Sequence, residues 1–351
     1  MRITMKKVLI ATCCIALLSG SLEASAQKKS AAKKVLTQTL AGKSWSADNG
    51  NGTFTNPLFY DEFSDPDIIR VGEDYYLAGT TMHSVPGLVV LHSKDLVNWE
   101  FSSYCFDRLD DSDDFNLRNG KEAYGQGIWA PAIRYHNGKF YIFSNINGHG
   151  LQVYISDSAK GPWTHHKVNG DIYDLSVLFD EDGKIYAVHK YGNVTVTELK
   201  PDLSGPVEGS SKVVIPEGNA MGEGHHVYKI NGMYYILSAD YSPMGRMQCA
   251  RSKSIWGPYE TCVISERESF GYAAGWSVGN MGIGRPLPED GFNFQNNKPN
   301  GLNLGCATIH QGGIVQAPDG KWWGVSMQDF KAVERTVCLS PITWVDGWPY
   351  F

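Results

Sequence analysis

Three acidic residues stand at the same place in a repeated sequence pattern. Asp65 lies in Phe63-Ser64-Asp65-Pro66-Asp67-Ile68, Asp174 precedes Leu175-Ser176-Val177-Leu178-Phe179, and Glu223 lies in Met221-Gly222-Glu223-Gly224-His225-His226. Taken singly, each reads as a turn or cap residue, and an isolated Asp-Pro is most often a turn. It is their coincidence in repeat register that points to chemistry. One protonated carboxyl and one ionised carboxylate are what hydrolysis of a sugar acetal needs: the first protonates the departing oxygen, the second activates water from the opposite side. A third carboxylate nearby raises the pKa of the acid by like-charge repulsion and helps orient it.

The elements that must position these acids are short strands. A few apolar residues, a glycine turn and a pair of aromatic or apolar residues recur five times, at Ile68–Tyr76, Ile133–Tyr141, Val177–Tyr186, Val227–Tyr235 and Ile314–Trp323. Asn137-Gly138, Asp182-Gly183, Asn231-Gly232 and Asp319-Gly320 sit at the turns. Such pairs favour type I′ hairpins, whose two central residues both need positive φ. A second turn follows in several units, at Ser93–Trp99, Ser156–Trp163 and Ser252–Tyr259, between a third and an outer fourth strand. Repeated four-stranded units are the signature of a β-propeller, and five copies predict five blades. A β-sandwich of unrelated hairpins accounts for the strands but not for the repeated order of elements. The inner strand of each blade lines the channel, so acids at its start converge on one end of the axis.

Composition agrees. Eighteen Tyr, ten Trp and fourteen Phe beside 38 Gly suit aromatic strands and tight turns, and the formal charge of −6 gives no electrostatic reason to expect nucleic acid or an anionic membrane. Met1–Lys7 carries basic residues, Val8–Leu18 is apolar, and Ala24-Ser25-Ala26 offers a small-residue cleavage site. This predicts a signal peptide over 1–26, export to the periplasm or the extracellular space, and no membrane span, the run being too short for one. Acylation at Cys13 or Cys14 ranks second because Thr12 is bulky for that cleavage. Residues 27–51, rich in Lys, Ala, Ser and Gly, read as a flexible leader, and 52–351 as one propeller domain. Five cysteines remain after the leader, Cys105, Cys249, Cys262, Cys306 and Cys338, with no metal-ligand spacing; at most two disulfides are permitted.

Ser64–Ile68, Gly127-Ile128-Trp129-Ala130-Pro131, Asp174–Gly183, Glu223–Lys229 and His310-Gln311-Gly312-Gly313 together, in this order, resemble glycoside hydrolase family 43, from about Asn56 to Phe351. The resemblance implies Asp65 as general base, Asp174 as the pKa-modulating acid and Glu223 as general acid of an inverting enzyme. It also implies sugar contacts from Trp129, His226 and Arg335. His310 corresponds to an axial histidine beside which a calcium ion with mostly water ligands often sits. A lone histidine is a poor calcium site on first principles, because calcium prefers oxygen. His225 stands where the family commonly has proline. In the loop Thr81–Gly87, xylosidase-type relatives are often bulkier and more acidic, and His83 is a further candidate sugar contact. The tail Trp344–Phe351 leads in many relatives into a C-terminal β-sandwich, so either the propeller stands alone or the sequence is truncated.

The reading that follows is an exo-acting hydrolase that releases L-arabinofuranose or D-xylose from arabinoxylan. The alternatives are an endo-arabinanase with an open groove and a catalytically silent carbohydrate-binding propeller. A protein-interaction propeller of the WD or kelch type lacks its repeat signatures.

Overall fold

The glycine turns do not all close in the same way. In the computed structural model, which describes residues 45–109, 112–219, 221–240, 246–265, 309, 311–329 and 335–351, Asn137 and Gly138 have φ of 49° and 81°, and Asn231 and Gly232 have 50° and 77°. Both are the expected type I′ pairs. At the two Asp-Gly turns only the glycine is left-handed, Gly183 at 82° and Gly320 at 85°. There Gly183 N–H donates to Asp180 O at 3.1 Å and Asp180 N–H to Lys184 O at 2.9 Å. This is a longer loop in which a right-handed turn precedes the glycine, so the aspartate never needs positive φ.

These hairpins build five four-stranded antiparallel sheets, each with its strands in sequence order. Blade 1 holds β1 (Asp67–Val71), β2 (Asp74–Ala78), β3 (Gly87–Ser93) and β4 (Trp99–Phe106); blade 2 holds β5 (Ile128–His136), β6 (Lys139–Ile146), β7 (Gly150–Ser156) and β8 (Thr164–Val168). Blade 3 holds β9 (Ser176–Phe179), β10 (Ile185–His189), β11 (Val194–Leu199) and β12 (Lys212–Ile215); blade 4 holds β13 (Glu223–Ile230), β14 (Met233–Asp240), β15 (Arg246–Ser252) and β16 (Glu260–Ser265). Blade 5 holds β17 (Ile314–Gln316), β18 (Trp322–Asp329), β19 (Arg335–Val345) and β20 (Trp348–Tyr350). The inner strands adjoin in turn, β17 to β1, β1 to β5, β5 to β9 and β9 to β13, and β16 meets β20. The fold is a five-bladed propeller.

Its core is divided among the blade interfaces. Separate apolar clusters form around Ile128 and Ile142 between blades 1 and 2, around Val177 and Phe143 between blades 2 and 3, and around Val188 and Ile236 between blades 3 and 4. Leu237 and Ile342 centre the cluster between blades 4 and 5, and Leu77 and Val337 the one between blades 5 and 1. Blade faces therefore hold the ring by burial of aliphatic side chains, at roughly 25 cal/mol per Å² of apolar surface.

The ring is closed by the segment ahead of β1. Leu58 N–H donates to Val337 O at 2.8 Å, Phe63 N–H to Arg335 O at 3.1 Å, and the Asn56 amide exchanges hydrogen bonds with both backbone groups of Leu339 at 2.9 Å. Ala47 is buried in the blade 5–1 cluster and Asp48 bridges Phe54. The folded unit thus begins at Ala47, five residues before the expected boundary at Gly52, because an apolar residue at 47 has a cluster to enter. The expected signal peptide and residues 27–44 of the expected leader lie outside the described residues. The tail is likewise part of the propeller: Trp348–Tyr350 is the outer strand of blade 5, with the Arg251 guanidinium 4.0 Å above the Trp348 ring. Cys105, Cys249, Cys262 and Cys338 are free thiols, and Cys306 lies outside the described residues. No described helix is long and apolar enough to cross a membrane.

Candidate active site

Each blade enters the axis through one residue in the left-handed region. These are Asp65 (φ 51°), Ala130 (40°), Asp174 (50°), Gly224 (66°) and Gln311 (46°), one per blade. All five line a small axial hollow of about 10 Å³. Positive φ is uncommon for residues other than glycine and persists only where the surroundings over-determine it. Here it turns the chain sharply at the head of the inner strand, which carries Asp65, Asp174 and Glu223 into one place. Strand bulges assist in blades 2 and 4, where the register shifts between Trp129 and Ala132 and between Glu223 and His226. Such bulges re-aim side chains at channel mouths.

The three acids, Trp129, Gln311, Tyr173 and Arg335 all line one cavity of about 330 Å³, near the lower end of the range for small-ligand sites. Asp65 is fixed through Oδ2, which accepts a short hydrogen bond from Thr80 Oγ1 and a longer one from Ser64 Oγ at 3.3 Å. Thr80 Oγ1 in turn accepts from Ala130 N–H at 2.9 Å, so its single proton is directed at the carboxylate. Asp174 is buried; its Oδ2 accepts from Gly224 N–H at 2.7 Å and its own N–H donates to Asn145 Oδ1 at 3.0 Å. Burial first, then the charges of Glu223 and Asp65, push its carboxyl well above the usual carboxylate range. Glu223 is also pushed up, by burial first; the hydroxyl of Tyr173, donating to Oε2 at 3.2 Å, pulls the other way, and the charge of Asp65 adds to the rise. The acid expected to tune Glu223 by its charge is therefore itself driven toward the neutral form, and the tuning charge is that of Asp65.

Trp129 lines the cavity, its indole N–H donating to Gly125 O at 3.2 Å. Arg335 lines it as well; its Nη2 stands 2.7 Å from Glu62 Oε1, and its backbone N–H donates to Glu62 Oε2 at 3.0 Å. His226 is not among the cavity residues. It is buried in the axial hollow, where Nδ1–H donates to Gly224 O at 3.0 Å and Nε2 lies 3.6 Å from Asp67 Oδ1. Burial lowers its pKa below the ordinary histidine value. His226 stands three residues into β13 from Glu223, where its ring faces Gly224 O and Asp67 Oδ1. His225, in the family's proline position, is a buried neutral cross-link. Burial pushes it down to about 4, and it joins Ser238 Oγ and Lys190 O, each at 2.6 Å. His83 lines a neighbouring cavity, accepts from Gly125 N–H at 3.0 Å and packs on Tyr124 at 4.7 Å between centroids.

His310 lies outside the described residues, and the described residues contain no group of three or more His, Cys, Asp or Glu able to hold a metal ion. Asp67, the other carboxylate at the axial hollow, is engaged by the guanidinium of Arg134. The expected calcium ion rests on His310 and so lies outside the described residues, and no step of the chemistry is drawn through a metal ion. Sequence reading did not single out Tyr173, Thr80, Asn145 or the Asp67–Arg134 pair. Only Tyr173, adjacent to Asp174, and Asp67, within the Asp-Pro-Asp motif, carried a local signal.

A five-bladed propeller that gathers three carboxylates at one cavity sets a proton donor beside a proton acceptor, the class of site that acid–base chemistry uses. The chain belongs to glycosyl hydrolases family 43, which its residues 54–268 match. It is 34% identical over 313 residues to a non-reducing end α-L-arabinofuranosidase of Bacteroides ovatus, covering 85% of this chain and 53% of that protein. A β-xylosidase of Formosa agariphila is 30% identical, with 92% of this chain and 54% of that protein covered. Among solved structures, a bifunctional GH43-CE protein of Bacteroides eggerthii superposes with a TM-score of 0.70 at 33% identity, over 84% of this chain and 35% of that one. The chain spans about half the length of the curated relatives it matches.

Proposed function

We propose that this chain is the propeller of an exo-acting, inverting glycoside hydrolase that releases L-arabinofuranose or D-xylose from arabinoxylan or its oligosaccharides, and that it is exported. The observation that carries the reading is the convergence of Asp65, Asp174 and Glu223 on one small cavity that also holds an indole and a guanidinium. Glu223, with its raised pKa, donates its proton to the glycosidic oxygen as the bond to the anomeric carbon breaks. Asp65 takes a proton from a water that attacks that carbon from the opposite face, giving a free sugar of inverted configuration. Among the described residues both side-chain donors to Asp65 fall on Oδ2, so Oδ1 is the oxygen that takes the water's proton. Asp174 holds the peptide of Gly224 and so fixes the start of the strand that presents Glu223. Trp129 supplies an apolar face for the sugar ring and Arg335 a fixed fork for paired hydroxyls. Export is supported by the basic, apolar and small-residue order of Met1–Ala26.

The test is release of nitrophenol from the α-L-arabinofuranoside and the β-D-xyloside, with the anomer of the first-formed sugar read by NMR. Turnover of either glycoside with inversion is expected. Retention overturns the mechanism; cleavage of internal arabinan linkages alone favours the endo alternative, and binding without turnover the silent one.

Activity should fall as pH rises through the raised pKa of Glu223, because the acid must be protonated. Tyr173→Phe removes a hydroxyl that stabilises ionised Glu223, so the pKa rises further and the basic limb of the kcat/KM profile moves to higher pH. A basic limb that stays in place or moves down contradicts this assignment.

A further inference from the structure

Blade 1 carries an aromatic surface that the acid pocket does not use. The register of β3 against β4 pairs Val89 with Tyr104, Val90 with Ser103 and Leu91 with Phe101, with a shift between Val90 and Leu91. Ser102 is the extra residue. In a regular strand, residues 101 and 104 point to opposite faces. The bulge puts both rings on the face of Val89 and Leu91, a re-aiming that is a common use of bulges. The rings are 4.6 Å apart between centroids and remain 55% and 44% exposed. Across from them the cavity that holds His83 is bounded by Tyr124, 80% exposed. Three exposed rings gathered around one concavity, rather than scattered singly, suit a binding surface.

This groove, of about 840 Å³, shares two walls with the acid pocket. Glu62 lines the groove and Arg335 the pocket, and the two are joined at 2.7 Å. Gly125 lines the groove, and its carbonyl accepts from the indole of Trp129, which lines the pocket. A chain whose terminal unit sits among the acids and that leaves past these walls meets exposed rings. Asp61 and Glu62 at the groove, with a net charge of −6, disfavour an anionic occupant.

We propose that the groove binds the main chain of a neutral polysaccharide, stacking its sugar rings on Phe101, Tyr104 and Tyr124 while the unit to be cleaved occupies the acid pocket. The proposal rests on the glycosidase reading above for the identity of the pocket. Its occupant is a glycan because exposed aromatic rings flanked by hydrogen-bonding groups match the apolar C–H faces and hydroxyl edges of sugars.

The test uses the full chain and separates the groove from catalysis. Retardation in gels containing neutral arabinoxylan is measured for Glu223→Gln, which binds without turnover, alone and combined with Phe101→Ala/Tyr104→Ala or with Tyr124→Ser. The substituted rings are exposed, so the fold should be kept. Loss of two stacking rings should weaken polysaccharide binding about tenfold. In the chain with native Glu223, the same substitutions should raise KM on arabinoxylan by a similar factor and leave kcat/KM on the nitrophenyl glycosides within about twofold. Unchanged retardation, or equal losses on polymer and nitrophenyl glycoside, overturns the proposal. So does a dimer of the parent that the substitutions dissolve without change in retardation, since the groove then holds a second copy. If no glycoside is turned over but retardation depends on the rings, the groove stands and the catalytic reading fails.

Discussion

Glu223→Gln is expected to abolish turnover of arabinoxylan oligosaccharides, with kcat down about 10³-fold or more, while a nitrophenyl glycoside of the same sugar loses far less. General acid–base groups contribute typically about 10²–10⁴-fold, and the share owed to the acid depends on how badly the leaving oxygen needs a proton. A sugar alkoxide needs it; nitrophenolate departs without it. Asp65→Asn should behave differently, lowering kcat on both substrates by a similar large factor, because water must be activated whatever the leaving group. Both substitutions are nearly isosteric, so unchanged thermal midpoints would show that the folded state is retained. Equal losses on the two leaving groups for Glu223→Gln would remove it from the acid's role. A loss below tenfold for Asp65→Asn would do the same for the base.

Those two roles follow from residues that could be found in the sequence, because the repeat itself marks where each inner strand starts. Asp65, Asp174 and Glu223 all stand just ahead of an apolar run, and an internal repeat turns such a position into a place in space. What the repeat does not encode is contact between different repeats. Asn145 of blade 2 accepts from Asp174 N–H, and Asp174 reaches Gly224 at the head of blade 4. Arg335 is held by Glu62, 273 residues earlier in the chain. Phe101 illustrates a second limit. Facing is assigned by alternation, and one extra residue in a strand reverses it, so the bulge in β4 puts Phe101 beside Tyr104. The Asp-Gly turns mark a third: the dipeptide signals a hairpin correctly but does not fix the loop length.

Asp67→Asn is expected to destabilise the propeller by about 3 kcal/mol, a large part of the roughly 5–15 kcal/mol that holds a typical domain folded. Asp67 is 1% exposed; Oδ2 accepts from Ile133 N–H at 2.9 Å and takes a short hydrogen bond from Arg134 Nη1. The same guanidinium donates to Ser176 Oγ and Val177 O of blade 3, and Ser176 Oγ accepts from Val227 N–H of blade 4 at 3.0 Å. Tyr228, next in that strand, uses its hydroxyl oxygen to accept from Ile314 N–H of blade 5 at 2.9 Å. Asp67 therefore heads a line of polar contacts that touches every blade at the axis. An asparagine can still accept from Ile133, but it leaves Arg134 charged and largely buried without a counter-ion, which is the expensive way to break such a pair. Denaturant midpoints measure the loss, with an unchanged m-value indicating that the compactness of neither state has altered. The double variant Asp67→Asn/Arg134→Met removes the stranded charge and should lie closer to the parent than the sum of the two single losses. Strict additivity would mean that the two side chains act independently, and the axis would then owe its order to the left-handed turns alone.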